Sequence, residues 1–135
     1  MYTVKQAADQ LNITTETIRY YTRLGMIEPR RDPNNSYRYY SDTDIQLIDF
    51  IRKAKYYGLT IHEIGMIIKK SSEGQLPCEL VMELITNRYS ETRAKIEELK
   101  ILEERLATAL LTWESDDNQD LENVLICPLI EKNNA

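Results

Sequence analysis

Between Pro77 and Pro128 the chain contains neither proline nor glycine. So long a run without either helix breaker predicts one extended helix. Pro77 suits its first turn, where a missing N–H leaves nothing unsatisfied. Leu80, Leu84, Ile85, Ile96, Leu99, Leu102, Leu106, Leu110 and Trp113 form a stripe of threes and fours, weakened in the middle by Arg88 and Thr92. Between them, Glu91–Lys95 and Arg93–Glu97 are i,i+4 pairs suited to a solvated face. A helix over 77–113 is about 55 Å long at 1.5 Å per residue. The residues before it are too few to cover that stripe, so a second copy of the chain is the expected partner. The acidic stretch from Glu114 to Asp120 reads as a solvated loop. An apolar tail, Leu121 to Ile130, is expected to pack back onto the paired helices.

The preceding segment is punctuated differently. Thr3 and Gln6 form a T-x-x-Q capping box, after which Val4, Ala7, Ala8 and Leu11 share one helical face. Asn12 and Ile13 break that helix. A second starts after Thr14 or Thr15, runs through Thr22 and stops at Gly25. Two short helices joined this closely are the skeleton of a helix-turn-helix. In residues 26–40, Asp32-Pro33-Asn34-Asn35 forms a turn between extended flanks, which predicts a β-hairpin wing. Ser41 or Asp42 caps a third helix bearing Ile45, Ile48, Phe50, Ile51 and Ala54, closed by Gly58. Thr60 and Glu63 open a fourth, with Ile61, Ile64, Ile67 and Ile68. Residues 71–75 read as a linker. The fold class is therefore mainly α, divided into a winged helix-turn-helix domain (1–70), a linker (71–76), a dimerisation helix (77–113) and a loop with C-terminal tail (114–135).

Charge divides along the same line. The net charge is −5. Residues 1–70 nevertheless carry 11 Lys/Arg against 8 Asp/Glu, whereas residues 71–135 carry 6 against 14. The head can meet phosphates and the tail is repelled by them. No apolar run spans a bilayer and the N-terminus lacks a signal-peptide pattern, so a soluble cytoplasmic protein without a membrane partner is expected. Enzyme chemistry is not expected: there is one His, no phosphate loop and no nucleophile elbow. Cys78 and Cys127 are too far apart in sequence for a CxxC motif, and in a cytosolic chain both are expected to be reduced.

Several head residues suit DNA. On the second helix these are Thr14, Thr15, Thr17, Arg19, Tyr20 and Tyr21, with Ile18 assigned to the core. A recognition helix directs its N-terminal polar residues into the major groove, and tyrosine hydroxyls can bond phosphate oxygens. The competing reading makes Tyr20 and Tyr21 packing residues. The wing offers Arg30, Arg31, Tyr37, Arg38, Tyr39 and Tyr40, against the reading of an ordinary surface hairpin. With strand alternation, Arg38 and Tyr40 share one face and Tyr37 and Tyr39 the other. Arg52, Lys53, Lys55, Tyr56 and Tyr57 end the third helix. Arg52 and Lys55 can grip backbone there, or can complement the helix dipole.

The runs T-I-R-Y-Y-x-x-x-G-M-I, Y-R-Y-Y-S-D-x-D-I and I-R-x-A-K-x-x-G-L-T-I-x-E-I resemble the MerR family of transcriptional regulators in order and spacing throughout residues 1–70. The long helix and the segment 114–135 resemble the family's dimerisation and effector-sensing regions, extending the resemblance over nearly the whole chain. It implies a homodimer joined by an antiparallel coiled coil, whose heads grip a pseudo-palindromic promoter with an overlong spacer between its RNA-polymerase elements. It further implies that the dimer switches transcription by bending, twisting and kinking that double-stranded DNA.

Metal-sensing members of this family place one cysteine at the start of the dimerisation helix, one near its end and one in the following loop. Cys78 fits the first position and Cys127 the last, but the middle one holds Trp113, which donates no ligand electrons. Three readings stay open. Cys78 and Cys127 of opposite subunits bind a thiophilic ion (Zn, Cd, Pb or Hg), with Asp116, Asp117, Asp120 or a water completing the site. Alternatively the thiols sense oxidants or electrophiles, with Cys78 activated by its helix terminus. In the third, Trp113 and the apolar tail shape a pocket for an organic effector, or there is no effector. Each cysteine is also consistent with a small buried hydrophobe, and His62 is expected to be solvated. A rival of another class is a coiled-coil adaptor that binds no DNA.

Overall fold

The computed structural model describes residues 1–115 and 121–133. The order is α1 (Val4–Leu11), α2 (Thr15–Arg23), β1 (Arg30–Arg31), β2 (Arg38–Tyr39), α3 (Asp42–Tyr56), α4 (Ile61–Ser72), α5 (Cys78–Ser115) and α6 (Pro128–Glu131). It forms two compact units, Met1–Arg88 and Tyr89–Ala135.

Local chemistry sets the helix ends of the first unit. Thr3 Oγ1 accepts the Gln6 N–H at 3.2 Å while Gln6 Oε1 accepts the Thr3 N–H at 2.9 Å, closing the expected capping box. Asn12, at φ 56°, turns the chain left-handed and ends α1. Ser41 and Asp44 form a further capping box at α3. The sequence pattern did not announce it, because Asp rather than Glu or Gln stands at the third position. Thr60 and Glu63 close the box at α4 as expected. That helix runs to Ser72, two residues into the stretch read as linker.

The core gathers Ala7 and Ala8 from α1, Ile18 and Tyr21 from α2, four residues of α3 (Ile45, Ile48, Ile51, Ala54), and Ile64 and Ile67 from α4. Each buried isoleucine contributes about 1.5–3 kcal/mol relative to exposure. Ile27, Tyr40 and Leu59 join from outside the helices. Leu80, Val81, Leu84 and Ile85 pack against this cluster, so the first turns of α5 belong to the head. Phe50, expected on the core face of α3, is instead 38% exposed. It stands one residue, or about 100° of helix, behind Ile51 and falls at the edge of the buried stripe.

The wing is a minimal antiparallel pair, Arg30 opposite Tyr39 and Arg31 opposite Arg38. Its turn is held from within. Asp32 Oδ1 accepts the Asn34 N–H at 2.8 Å, Asn35 Oδ1 accepts the Tyr37 N–H at 2.9 Å, and Ser36 takes the positive φ of 61°. Tyr2 and Tyr40 exchange two backbone hydrogen bonds of 2.7 Å, tying the start of the chain to the hairpin.

In the second unit, Ile96, Leu99, Leu102, Leu106 and Leu110 lie exposed along α5, with Leu99 at 63%. The tail is exposed as well: Leu125 and Ile126 are each 86% accessible within the single chain. Pro128 starts α6, and the Glu131 carboxylate accepts the N–H groups of Leu125, Ile126 and Cys127 at 2.8, 3.1 and 2.7 Å. No helix among the described residues is long and apolar enough to cross a membrane.

Candidate nucleic-acid interface

Helix α2 presents two faces. Ile18 and Tyr21 are buried, and Glu16, Arg19, Tyr20 and Arg23 form the opposite, solvent-facing side at helical spacing. Thr14 caps the helix by accepting the Thr17 N–H at 3.1 Å, and the two threonine hydroxyls bond at 2.8 Å. Arg19 Nη1 donates to Thr15 Oγ1 at 3.3 Å, which orients the guanidinium along the helix. Thr14 at the cap, and Arg19 and Tyr20 in the middle of the helix, are exposed, with Tyr20 at 44%, whereas Thr15 and Thr17 are half-buried.

Two expected DNA-facing residues are corrected. Tyr21 is 6% exposed, and burial pushes its hydroxyl above the ordinary tyrosine pKa, with Tyr20 adding to the shift. Tyr40 is 1% exposed, and its hydroxyl bonds Thr22 inside the head. Both rings belong to the packed core of the head. Arg23 was missed. It lies 6.0 Å over the Tyr20 ring and four residues beyond Arg19, a spacing that marks it as a neighbour on the same face.

Wing and helices enclose a cleft of about 420 Å³ lined by Thr3, Val4, Arg19, Arg31, Ser36, Tyr37, Arg38 and Tyr40. Three arginines line it and no carboxylate does. The hairpin register sets Arg31 directly opposite Arg38. Like charges directly opposite each other on paired strands repel. The N-terminus of α1, through Thr3 and Val4, adds the positive end of a helix to the same wall. Nothing in the sequence pattern placed α1 at this site. Arg30 is exposed on β1 and Tyr37 is 67% exposed.

The third cluster is partly neutralised. Asp49 receives Arg52 at 2.5 Å and Lys53 at 2.9 Å. Those two partners, Lys53 first, hold its carboxyl below the ordinary value. Lys55, Tyr56 and Tyr57 are exposed beside them, the rings meeting edge to face at 5.2 Å.

Residues 2–71 match the family described as MerR HTH family regulatory protein, and residues 45–109 match a MerR, DNA-binding family. The chain belongs to the MerR family. The mercuric resistance operon regulatory protein of Bacillus cereus is 28% identical over 130 residues, covering 96% of this chain and 95% of its own length. In fold, the chain is similar to the lead(II) complex of the regulator PbrR691 from Ralstonia metallidurans CH34, with a TM-score of 0.78 at 21% identity, covering 98% of each chain. The mercury(II) complex of a MerR from Bacillus megaterium MB1 gives a TM-score of 0.63 at 24% identity, again covering 98% of each. This MerR-family chain is thus a DNA-binding transcriptional regulator rather than an enzyme, and the arginine cleft and the accessible face of α2 are its candidate DNA contacts.

The residues expected to sense an effector are dispersed along the chain. Cys78, the first residue of α5, is exposed; Cys127, at the N-cap of α6, and Trp113 are half-buried. Cys78 and Cys127 fall in different compact units. Asp116, Asp117 and Asp120 lie outside the described residues. Among the described residues of one chain, no three His, Cys, Asp or Glu side chains come close enough to hold a metal ion. Cys78 and Cys127 are the chain's two thiol donors, and Trp113 supplies no ligand atom. His62 is exposed, as expected.

Proposed function

We propose that this regulator acts as a cytoplasmic homodimer on a promoter whose geometry it alters for RNA polymerase, and that its effector is read through Cys78 and Cys127. The convergence of Arg19, Arg31 and Arg38 on one acid-free cleft beside α2 carries the DNA part of this reading. It is a seat for a phosphate next to a helix whose polar terminus is free to enter a major groove. The exposed stripe Leu99, Leu102, Leu106 and Leu110 is the surface a second copy covers, and the exposed tail supplies further apolar area for the same partner.

For the effector, a thiophilic ion held between Cys78 of one protomer and Cys127 of its partner is the leading reading. It is supported by the metal complexes of the similar structures and by the two thiols at the terminal sensing positions. An accessible Cys78 also suits thiol oxidation or alkylation as the signal.

The decisive DNA experiment is binding to promoter fragments across several salt concentrations. A regulator binds one fragment tightly with a clear salt slope, whereas an adaptor binds nothing above background. For the effector, reduced protein is titrated with Zn, Cd, Pb and Hg ions while thiolate-to-metal absorption is recorded beside Cys78→Ser and Cys127→Ser. No ion binding tighter than about micromolar ends the metal reading.

A further inference from the structure

We infer that the Glu63–Arg88 ion pair latches α5 to the α3–α4 turn, making Arg88 a positioning residue that sets how the turn meets DNA. The inference rests on the promoter-switch reading above. Arg88 Nη2 lies 2.5 Å from Glu63 Oε1, and the same oxygen accepts the Thr60 N–H at 2.8 Å. One carboxylate therefore closes the capping box of α4 and holds a cation that belongs to α5. Two observations extend the contact to the other side of the turn. Gly58 ends α3 with φ +79°, and a Cβ built there would lie 3.8 and 3.9 Å from Arg88 Cγ and Cδ. The stem of Arg88 thus lies over Gly58 at ordinary contact distance while its head grips Glu63. The turn held between them follows Lys55, Tyr56 and Tyr57, the exposed end of α3.

The sequence anomaly agrees. Arg88 occupies the place in the α5 stripe, four after Leu84 and three after Ile85, where an apolar residue is expected. Leu80, Val81, Leu84 and Ile85 already pack α5 against the head. The ion pair is largely shielded, with side-chain exposures of 30% and 18%. Such a pair is a weak source of stability compared with apolar residues of the same size, but it fixes geometry because a displaced partner leaves a charge behind. A rotation of α5 then moves the α3–α4 turn with it, because Arg88 touches both of the turn's ends.

Two substitutions separate the latch from the fold. Glu63→Gln keeps an oxygen for the capping box, which accepts Gln as readily as Glu, and removes the charge. Arg88→Met keeps a stem over Gly58 and removes the guanidinium. Both are compared with wild type on a promoter fragment that the wild-type protein shifts. The readouts are operator affinity, end-to-end fluorescence energy transfer across the fragment at saturating protein, and melting temperature. Each single variant is expected to bind within about threefold of wild type while losing at least half of the transfer change, and the double variant to be no worse than the worse single one. Wild-type bending in both variants overturns the latch alone. So does a bending loss reproduced by Ile85→Val, which destabilises the same junction without touching the pair. Wild-type protein that binds the fragment without bending it sinks the promoter-switch reading and the latch together.

Discussion

The Tyr40 hydroxyl donates to Thr22 Oγ1 across 3.0 Å, and this bond joins the wing to the recognition helix. The direction follows from the neighbouring contact: Thr22 spends its own proton on the Ile18 carbonyl at 2.8 Å, so the proton between the two hydroxyls belongs to Tyr40. Because Tyr40 directly follows β2 and Tyr2 pairs with its backbone, this one side chain fixes the hairpin relative to α2. Tyr40→Phe keeps the ring and removes the bond. It is expected to cost about 1 kcal/mol, seen as a fall of about 4 °C in thermal unfolding. Tyr40→Ala, which also empties a core site, is expected to cost about 3–5 kcal/mol. An unchanged melting temperature in the phenylalanine variant would show that the bond is not formed in solution.

Arg31 and Arg38 predict effects of opposite sign. In the free protein the two cations face each other across a strand pair, so Arg31→Thr relieves repulsion and is expected to leave stability unchanged or raise it by about 0.2–1 kcal/mol. On DNA the same change removes a phosphate contact and is expected to lower the salt slope of binding by about 1. Arg38→Thr is expected to behave likewise. Chemical denaturation and salt-dependent anisotropy of the same preparations provide the comparison. Loss of stability together with an unchanged slope would show that the arginines support the hairpin and do not seat an anion.

The elements that were legible in the sequence were those written in local chemistry. Capping residues, Gly25 and Gly58 at helix ends, and the apolar spacing of Ile45, Ile48 and Ile51 announced their helices, because each rule acts over three or four residues. What was not legible depended on residues distant in sequence. Tyr40 looked like a wing residue until its ring found Thr22, eighteen positions away. Arg88 looked like a flaw in a stripe until it met Glu63, twenty-five positions away. The α1 terminus entered the arginine cleft only through the folded arrangement of the head. Arg23, by contrast, was readable from its spacing to Arg19 alone.

Asp49 restrains two cations at the end of α3, and removing it tests whether that cluster meets DNA. Asp49→Asn frees Arg52 and Lys53, which it holds at 2.5 and 2.9 Å. Operator binding is expected to tighten and its salt slope to steepen by up to about 2, one for each cation released. Stability is expected to change little, because the two cations are mostly exposed and such pairs are weak. The pH dependence follows from a carboxyl held below its ordinary value, by Lys53 first and Arg52 second. The stabilisation is complete above the unfolded carboxylate value of about 3.9 and is lost only as pH falls through the lower folded value. Wild type and variant should therefore differ by the same amount at pH 6 and pH 8 and converge in acid. An unchanged salt slope would place the end of α3 away from the phosphates.

Glu131 controls how Cys127 is presented. Its carboxylate accepts three consecutive backbone N–H groups, those of Leu125, Ile126 and Cys127. These bonds, Leu125 first, hold the carboxyl below its usual value. Glu131→Ala leaves the three donors to water and frees the segment carrying the thiol. It also removes a negative charge near a group that reacts as its thiolate. Both effects act in one direction, so alkylation of Cys127 is expected to accelerate about threefold to tenfold while Cys78 in the same molecule reacts as before. Glu131→Gln removes the charge but keeps one acceptor oxygen, and an intermediate rate there would apportion the two effects. The measurement is the time course of modification at each cysteine, followed by mass spectrometry of peptides. Equal acceleration at Cys78 would instead report a general loosening of the chain, and no acceleration at Cys127 would mean that Glu131 does not govern its reactivity.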